Sequence, residues 1–189
     1  MPEVWLAWDR EAFLYLNGLG TPVWDGFWLA LSGTWTALPL YLVLLVWSLK
    51  EYGWKRSLLL LAFVALLITC TDQLSNFFKY GLARPRPCYD PGLDPYIRLV
   101  KASCGGPYGF FSAHAANAMG PAVFFTVLFG PGRRIWGGLL LVWAVAVGYS
   151  RIYLGVHYPG DVLAGFLAGA FFGWLFARLF RMGLNKWRL

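Results

Sequence analysis

The chain has only two histidines, and each lies in a short polar knot of an otherwise apolar sequence. His157 belongs to the stretch SRIYLGVHYPGD, from Ser150 to Asp161, six residues after Arg151 and four before Asp161. His114 ends a second knot, FFSAH, just after Ser112 and Ala113. A third knot, KYGLARPRP from Lys79 to Pro87, concentrates cations. The residue types point to phosphate. Arg presents a fork that matches two phosphate oxygens, and Lys supplies a point charge. A single Arg at the end of an apolar span would only snorkel to the interface. Lys79, Arg86 and Arg151 together would repel one another, so their convergence calls for an anion.

The neighbours of these cations supply the rest of a reaction. Ser112 stands where a helix would start, and its hydroxyl with the free N–H groups of that helix end suits an anion. For Ser112 alone, an ordinary helix cap accounts for the residue equally well. His157 and Asp161 straddle Pro159, the spacing of a first helical turn. An Asp there is held ionised by the helix dipole and can fix the tautomer of His157. The other ring nitrogen is then free as base or nucleophile, although a purely structural His–Asp pair has the same spacing. His114, on a different segment, can serve as the acid for a leaving oxygen. Neither His has metal-like partners and the three cysteines lack metal spacing, so no metal or other cofactor is expected.

These knots must be positioned by membrane helices. Of the 189 residues 59% are hydrophobic and 13% charged, against about 25% charged in soluble domains. Apolar runs near the ~20 residues needed to cross a bilayer recur. The expected fold is all-α: one domain over residues 1–189, a polytopic membrane bundle of about five transmembrane helices preceded by an N-terminal interfacial helix. The spans are expected near 27–49, 58–78, 110–129, 135–153 and 162–180, with an outer loop over 81–108. In the first 22 residues Trp5, Trp8, Phe13 and Leu16 recur at helical spacing among Glu3, Asp9, Arg10 and Glu11, which suits a helix at the interface or a plain packed one. That acidic start is not a signal peptide. Gly165, Gly169, Gly173 and Ala177 form a small-residue stripe that should face neighbouring spans and turn Asp161 inward. Asn117 reads as helix glue, and Asp72 either tunes Lys79 or neutralises it during insertion.

The net charge of +7 follows loop positions and does not point to nucleic acid. Lys50, Lys55, Arg56, Arg133, Arg134 and the basic tail, with Lys186 and Arg188, mark the cytoplasmic side. All three knots then fall at the opposite, outer face. Cys70 lies within a span. Cys88 and Cys104, with fifteen residues between them in the outer loop, could pair or stay free.

The three knots resemble the signature motifs of the type-2 phosphatidic acid phosphatase family of membrane lipid phosphatases, which is similar at its site to the vanadium haloperoxidases. The first motif, Lys, six residues and Arg-Pro, is matched by Lys79, Arg86 and Pro87. The third, Ser-Arg, five residues, His, three residues and Asp, is matched by Ser150, Arg151, His157 and Asp161. The second, Pro-Ser-Gly-His, is met by Phe111-Ser112-Ala113-His114, with Phe for Pro and Ala for Gly. The resemblance implies a metal-independent phosphatase. His157 attacks phosphorus, Asp161 orients it and His114 protonates the leaving group, while Lys79, Arg86, Ser112, Ala113 and Arg151 surround the phosphate. The expected substrate is a lipid phosphate or diphosphate, such as undecaprenyl diphosphate, phosphatidate, phosphatidylglycerol phosphate or a lipid A phosphate. The expected place is a bacterial inner membrane with the site facing the periplasm. A lipid-to-lipid phosphotransferase and a non-catalytic carrier of anionic lipids are the competing readings, and the oligomeric state is left open.

Overall fold

The computed structural model describes residues 3–187. Six α-helices carry the described chain: α1 Glu3–Gly18, α2 Pro22–Leu31, α3 Leu38–Leu82, α4 Ala113–Phe129, α5 Arg134–Tyr153 and α6 Pro159–Trp187. Among the described residues there is no strand, only an isolated bridge between Pro85 and Tyr108. Arg188, part of the basic tail, lies outside the described residues.

Helix α3 contains the expected second span and residues 38–49 of the first. Gly53 interrupts it with φ 74° and ψ 171°, a conformation that glycine adopts without a Cβ penalty. The chain folds back there. Tyr41 and Leu44 from before Gly53 line one small cavity with Val64 and Ile68 from after it, as the two arms of an antiparallel hairpin would. Trp35–Leu82, Pro131–Tyr153 and Pro159–Leu184 are long and apolar enough to cross a membrane, and Ala113–Phe129 is a shorter apolar helix. With the doubled α3, the bundle has five membrane passes. Leu42, Val46, Val142, Leu163 and Leu167 are exposed on its outside, where lipid takes the place of water.

The first span differs from the expectation. Residues 27–49 are not one helix: α2 stops at Ser32, and the Thr36 hydroxyl donates to the carbonyls of Ala30 and Gly33 across the break. Ser, Gly and Thr at 32–34 offer the backbone local alternatives to a helical ladder. The detached α2 sets Trp28 edge-on to Tyr149, with ring centroids 5.0 Å apart.

The core runs between α3, α4, α5 and α6 through Leu60, Leu67, Phe124, Ala144 and Phe180, all nearly or wholly buried. Helix α4 sits centrally because α6 lets it approach. A Cβ on Gly165 would lie 2.5 Å from the Ser112 carbonyl, and one on Gly169 2.5 Å from that of Ala116. Helix α6 therefore lies against the backbone of α4, and this contact sets the N-termini of the two helices side by side.

Helix α1 has two faces. Trp5, Trp8 and Tyr15 are exposed, while Asp9, Phe13 and Asn17 are buried. Asp9 thus lies with the packed residues and not with the polar ones. The Asn17 amide donates to the carbonyls of Ile152 (3.1 Å) and Tyr153 (3.0 Å) and satisfies the end of α5. At the far end of the bundle, Arg133 pairs with Glu51 at 3.0 Å and joins two connections on one side. The three polar knots lie at the other end.

Candidate active site

The first knot is shaped by the end of α3. Ala83 takes a left-handed conformation (φ 47°) and its N–H bonds the Lys79 carbonyl at 3.0 Å, which ends the helix. The next residues run antiparallel to 107–109: Arg86 N–H donates to the Pro107 carbonyl (3.0 Å) and Gly109 N–H to that of Arg84 (2.9 Å). This pairing carries Arg86 alongside the segment that leads into α4. The Arg86 guanidinium donates to the backbone carbonyls of Tyr108 and Cys104, each at 3.1 Å. A disulfide joins Cys88 to Cys104 with their Cα atoms 6.4 Å apart. Cys70 is a free thiol, half-buried in α3.

The second knot starts α4. Ser112 is the N-cap residue, wholly buried, and its Oγ accepts the Ala115 N–H at 3.4 Å. Its own N–H donates to the Asp161 carbonyl at 3.0 Å, so the second and third knots are tied by backbone. Ala113 and His114 follow in the first turn and line a cavity of about 360 Å³. Ser32, Thr34, Asp72 and Asn117 add polar groups to the same cavity. Asn117 donates to Asp72 at 2.8 Å and accepts from the Thr71 hydroxyl at 2.6 Å, which links α4 to α3. Asp72 makes no ion pair with Lys79. A second cavity of about 700 Å³, lined by Val43, Trp47, Trp136 and Leu139, shares Leu31 and Trp143 with the first.

The third knot spans the α5–α6 connection. Arg151, in the last turn of α5, is 3% exposed. Its guanidinium donates to the Ser32 hydroxyl, and its Nε has no partner among the described residues. Ser150 turns back to the Val147 carbonyl at 2.6 Å and serves the helix. His157 is buried, with Nδ1 3.4 Å from Asp161 Oδ2. That oxygen also accepts the Tyr158 N–H at 3.1 Å. The separation of 3.4 Å is long for a hydrogen bond, as catalytic contacts often are before substrate binds. With Nδ1 facing the carboxylate, Nε2 is the nitrogen left for chemistry.

The electrostatics follow from burial and cations. Burial pushes the His157 pKa well below its usual 6.5, and the charges of Arg86, Arg151 and Lys79 press the same way. His157 is thus held as the neutral imidazole, the form that can attack. Burial is also the first cause of the lowered pKa of Arg86. The pKa of Lys101, on the loop between α3 and α4, is lowered by burial and then by Arg151 and Arg86. Among the described residues no carboxylate lies within ion-pair distance of Lys79, Arg86, Arg151 or Lys101. A cluster of unpaired, partly desolvated cations is a site for an anion.

The structure thus brings together Lys79, Arg86, Ser112, Ala113, His114, Arg151, His157 and Asp161, and adds three residues that the sequence reading did not single out for the site. Lys101 joins the cation cluster. Arg84 is buried and donates to Asp161 Oδ1 at 2.7 Å and to Asp9 Oδ2 at 2.6 Å. Arg84 was visible two residues before Arg86, but nothing local tells an Arg that joins the cation cluster from one that pairs with carboxylates. Asp9 stood in the sequence only as one of the polar residues between the apolar positions of the N-terminal helix.

An all-helical membrane bundle with an unpaired cation cluster around an Asp-backed imidazole defines, as a class, an integral-membrane enzyme that handles phosphate. More particularly, the chain belongs to the PAP2 superfamily, whose family model matches residues 56–184. It is 40% identical over 172 residues to a lipid A 4'-phosphatase of Bacteroides thetaiotaomicron, covering 89% of this chain and 75% of that protein. It is 33% identical over 188 residues to a lipid A 4'-phosphatase of Porphyromonas gingivalis, covering 98% of this chain and 78% of that one. The fold is shared with the crystal structure of a PAP2-type phosphatidylglycerolphosphate phosphatase from Bacillus subtilis: TM-score 0.69, 22% identity, 98% of this chain and 88% of that chain. Aquifex aeolicus LpxE superposes with TM-score 0.64 at 24% identity, covering 89% of this chain and 94% of that one.

Proposed function

We propose that this chain is a metal-independent lipid phosphate phosphatase that removes the 4'-phosphate of a lipid A-type glycolipid at the periplasmic face of a bacterial inner membrane. The observation that carries the chemistry is the set of unpaired cations, Lys79, Arg86 and Arg151, around a neutral His157 backed by Asp161. The two lipid A 4'-phosphatases among its relatives support the choice of lipid. The Lys/Arg asymmetry supports the periplasmic side.

The reaction runs in two steps. The phosphate displaces no protein carboxylate on entering, because the cations have none; it satisfies the unpartnered Nε of Arg151 and receives donors from Arg86 and Lys79. His157 Nε2 attacks phosphorus as the P–O bond to the sugar breaks, and His114 gives its proton to the leaving sugar oxygen. Asp161 stabilises the positive charge that grows on the ring of His157. Water then attacks the phosphohistidine and gives a proton to His114; the N–P bond breaks, and inorganic phosphate and His157 are restored. The cavity beside His114 receives the sugar. The adjoining apolar cavity receives an acyl chain, with entry from the bilayer between α3 and α5.

The test is phosphate release by purified protein from lipid A, phosphatidate, phosphatidylglycerol phosphate and undecaprenyl diphosphate, with mass spectrometry of the lipid product. Lipid A should be the best substrate and should lose one phosphate, from the 4' position. Faster turnover of a glycerophospholipid or of the diphosphate overturns the lipid assignment. Rapid quench with labelled substrate should place label on His157; its absence overturns the covalent step.

A further inference from the structure

We propose that Asp9, on the N-terminal helix, is a positioning residue of the active site: through Arg84 it holds the Asp161 carboxylate in place and keeps its charge available to His157. The inference rests on the reading of His157 and Asp161 as the reacting pair.

The geometry is a buried relay. Asp161 Oδ1 accepts from Arg84 at 2.7 Å, while Oδ2 faces His157 Nδ1 at 3.4 Å. The second guanidinium nitrogen of Arg84 donates to Asp9 Oδ2 at 2.6 Å. Asp9 Oδ1 accepts the N–H of Gly160 at 2.7 Å, beside Asp161 itself. The Arg84 plane lies over the Tyr158 ring, 4.3 Å from its centroid. Asp9, Arg84 and Asp161 are 7%, 8% and 0% exposed, so solvent does little to screen the three charges.

Charge balance supplies the reason for Asp9. Arg84 alone beside Asp161 would neutralise it, and the carboxylate would have little left to stabilise an imidazolium. Asp9 offsets Arg84, so the trio keeps one net negative charge at the face that meets His157. Opposing it are Arg86, Arg151 and Lys79, the cations that act on His157 from the phosphate side. The same helix holds the His157 loop a second time: Arg10 pairs with Asp90 at 2.6 Å, and Asp90 accepts the Tyr158 hydroxyl at 2.9 Å. The superfamily match begins at residue 56, so α1 lies outside the matched segment and still contributes to the site.

The experiment combines kinetics with the His157 ring titration, read by NMR in protein labelled at histidine. Asp9→Asn should lower kcat ten- to a hundredfold with KM changed less than threefold, and Asp9→Glu should recover much of the loss. Asp9→Asn should shift the His157 titration down and Arg84→Gln should shift it up. The double variant Asp9→Asn/Arg84→Gln removes both charges together. It should return the titration to near the wild-type position and turn over faster than Asp9→Asn alone. If Asp9→Asn does not fold, the upward shift in Arg84→Gln and its reversal in the double variant decide the matter. Unchanged kcat in folded Asp9→Asn, a loss seen only in KM, or a titration indifferent to Arg84 overturns the relay. An active His157→Asn protein would instead overturn the underlying reading, and wild-type activity with a dead His157→Asn keeps the two failures apart.

Discussion

The guanidinium of Arg86 donates to the carbonyl of Cys104 at 3.1 Å, and Cys104 is bonded to Cys88, two residues along the chain from Arg86 itself. The disulfide therefore closes a loop around the acceptor that aims Arg86, a cation of the proposed phosphate site. Chain-entropy reasoning gives a loop of about 15 residues roughly 3 kcal/mol of stabilisation. Cys88→Ser should lower unfolding stability by up to about that amount and raise KM severalfold with a smaller change in kcat. Alkylation of unreduced protein should modify Cys70 alone once it is unfolded. Modification of Cys88 and Cys104 without reductant would refute the bond.

Loss of either histidine should stop turnover for different reasons. His157→Asn removes the proposed nucleophile and leaves the cations, so lipid binding should persist while phosphate release ends. His114→Gln removes the proposed acid, which should cost about 10²–10⁴-fold on a lipid leaving group. The cost should shrink with nitrophenyl phosphate, whose leaving group needs no proton. Equal losses on both substrates would remove His114 from the acid role.

The titration of His157 follows from its burial. Its folded pKa lies below the ordinary 6.5, with burial as the main cause and Arg86, Arg151 and Lys79 adding to it. Between the folded value and 6.5 the unfolded chain binds a proton that the native protein does not. Stability is therefore full above pH 6.5 and falls as pH drops below it, by up to about 1.4 kcal/mol per pH unit from this group. With only two histidines present, NMR of His114→Gln isolates the His157 signal. A midpoint at or above 6.5 in the unliganded protein would contradict the site described above.

The contact of α6 with α4 should tolerate no added bulk. A Cβ on Gly169 would lie 2.5 Å from the Ala116 carbonyl and 3.0 Å from the Gly120 nitrogen. Overpacking of this kind costs about 1–3 kcal/mol, so Gly169→Val should lower the midpoint of unfolding in detergent. It should also reduce kcat, because Ser112 and Asp161 are joined across the same two helix ends. A variant as stable and active as wild type would show that the helices can part without harm.

The Arg133 connection and the C-terminus should face the cytoplasm, and the 81–108 loop and His157 the periplasm. A reporter fused after Leu189 should be inactive if it works only in the periplasm; activity there would invert the orientation.

Several features were legible in the residues alone because they depend on local spacing. Hydropathy marked the helical membrane bundle, and the four-residue step from His157 to Asp161 put both at one helix start. The stripe at 165, 169 and 173 announced a close helix contact, since only small side chains let backbones meet. The break at Ser32–Thr34 was harder to see, because an apolar run hides a turn closed by the backbone N–H groups of Ser32 and Gly33 together with the Thr36 hydroxyl.

What only the tertiary structure decided is which charges face each other. Arg84 and Arg86 have the same type and nearly the same place in the sequence, but one turns to Asp161 and Asp9 while the other turns to the carbonyls of Tyr108 and Cys104 and stays without a carboxylate. Asp9 and Arg84 are 75 residues apart, and their pairing follows from how α1 packs against α5 and α6. Periodicity reports the face a residue occupies on its own helix. A buried ion pair exists only when two distant faces meet and exclude water between them, which is why the chain showed the candidate reacting residues early and the residues that hold them only once it was folded.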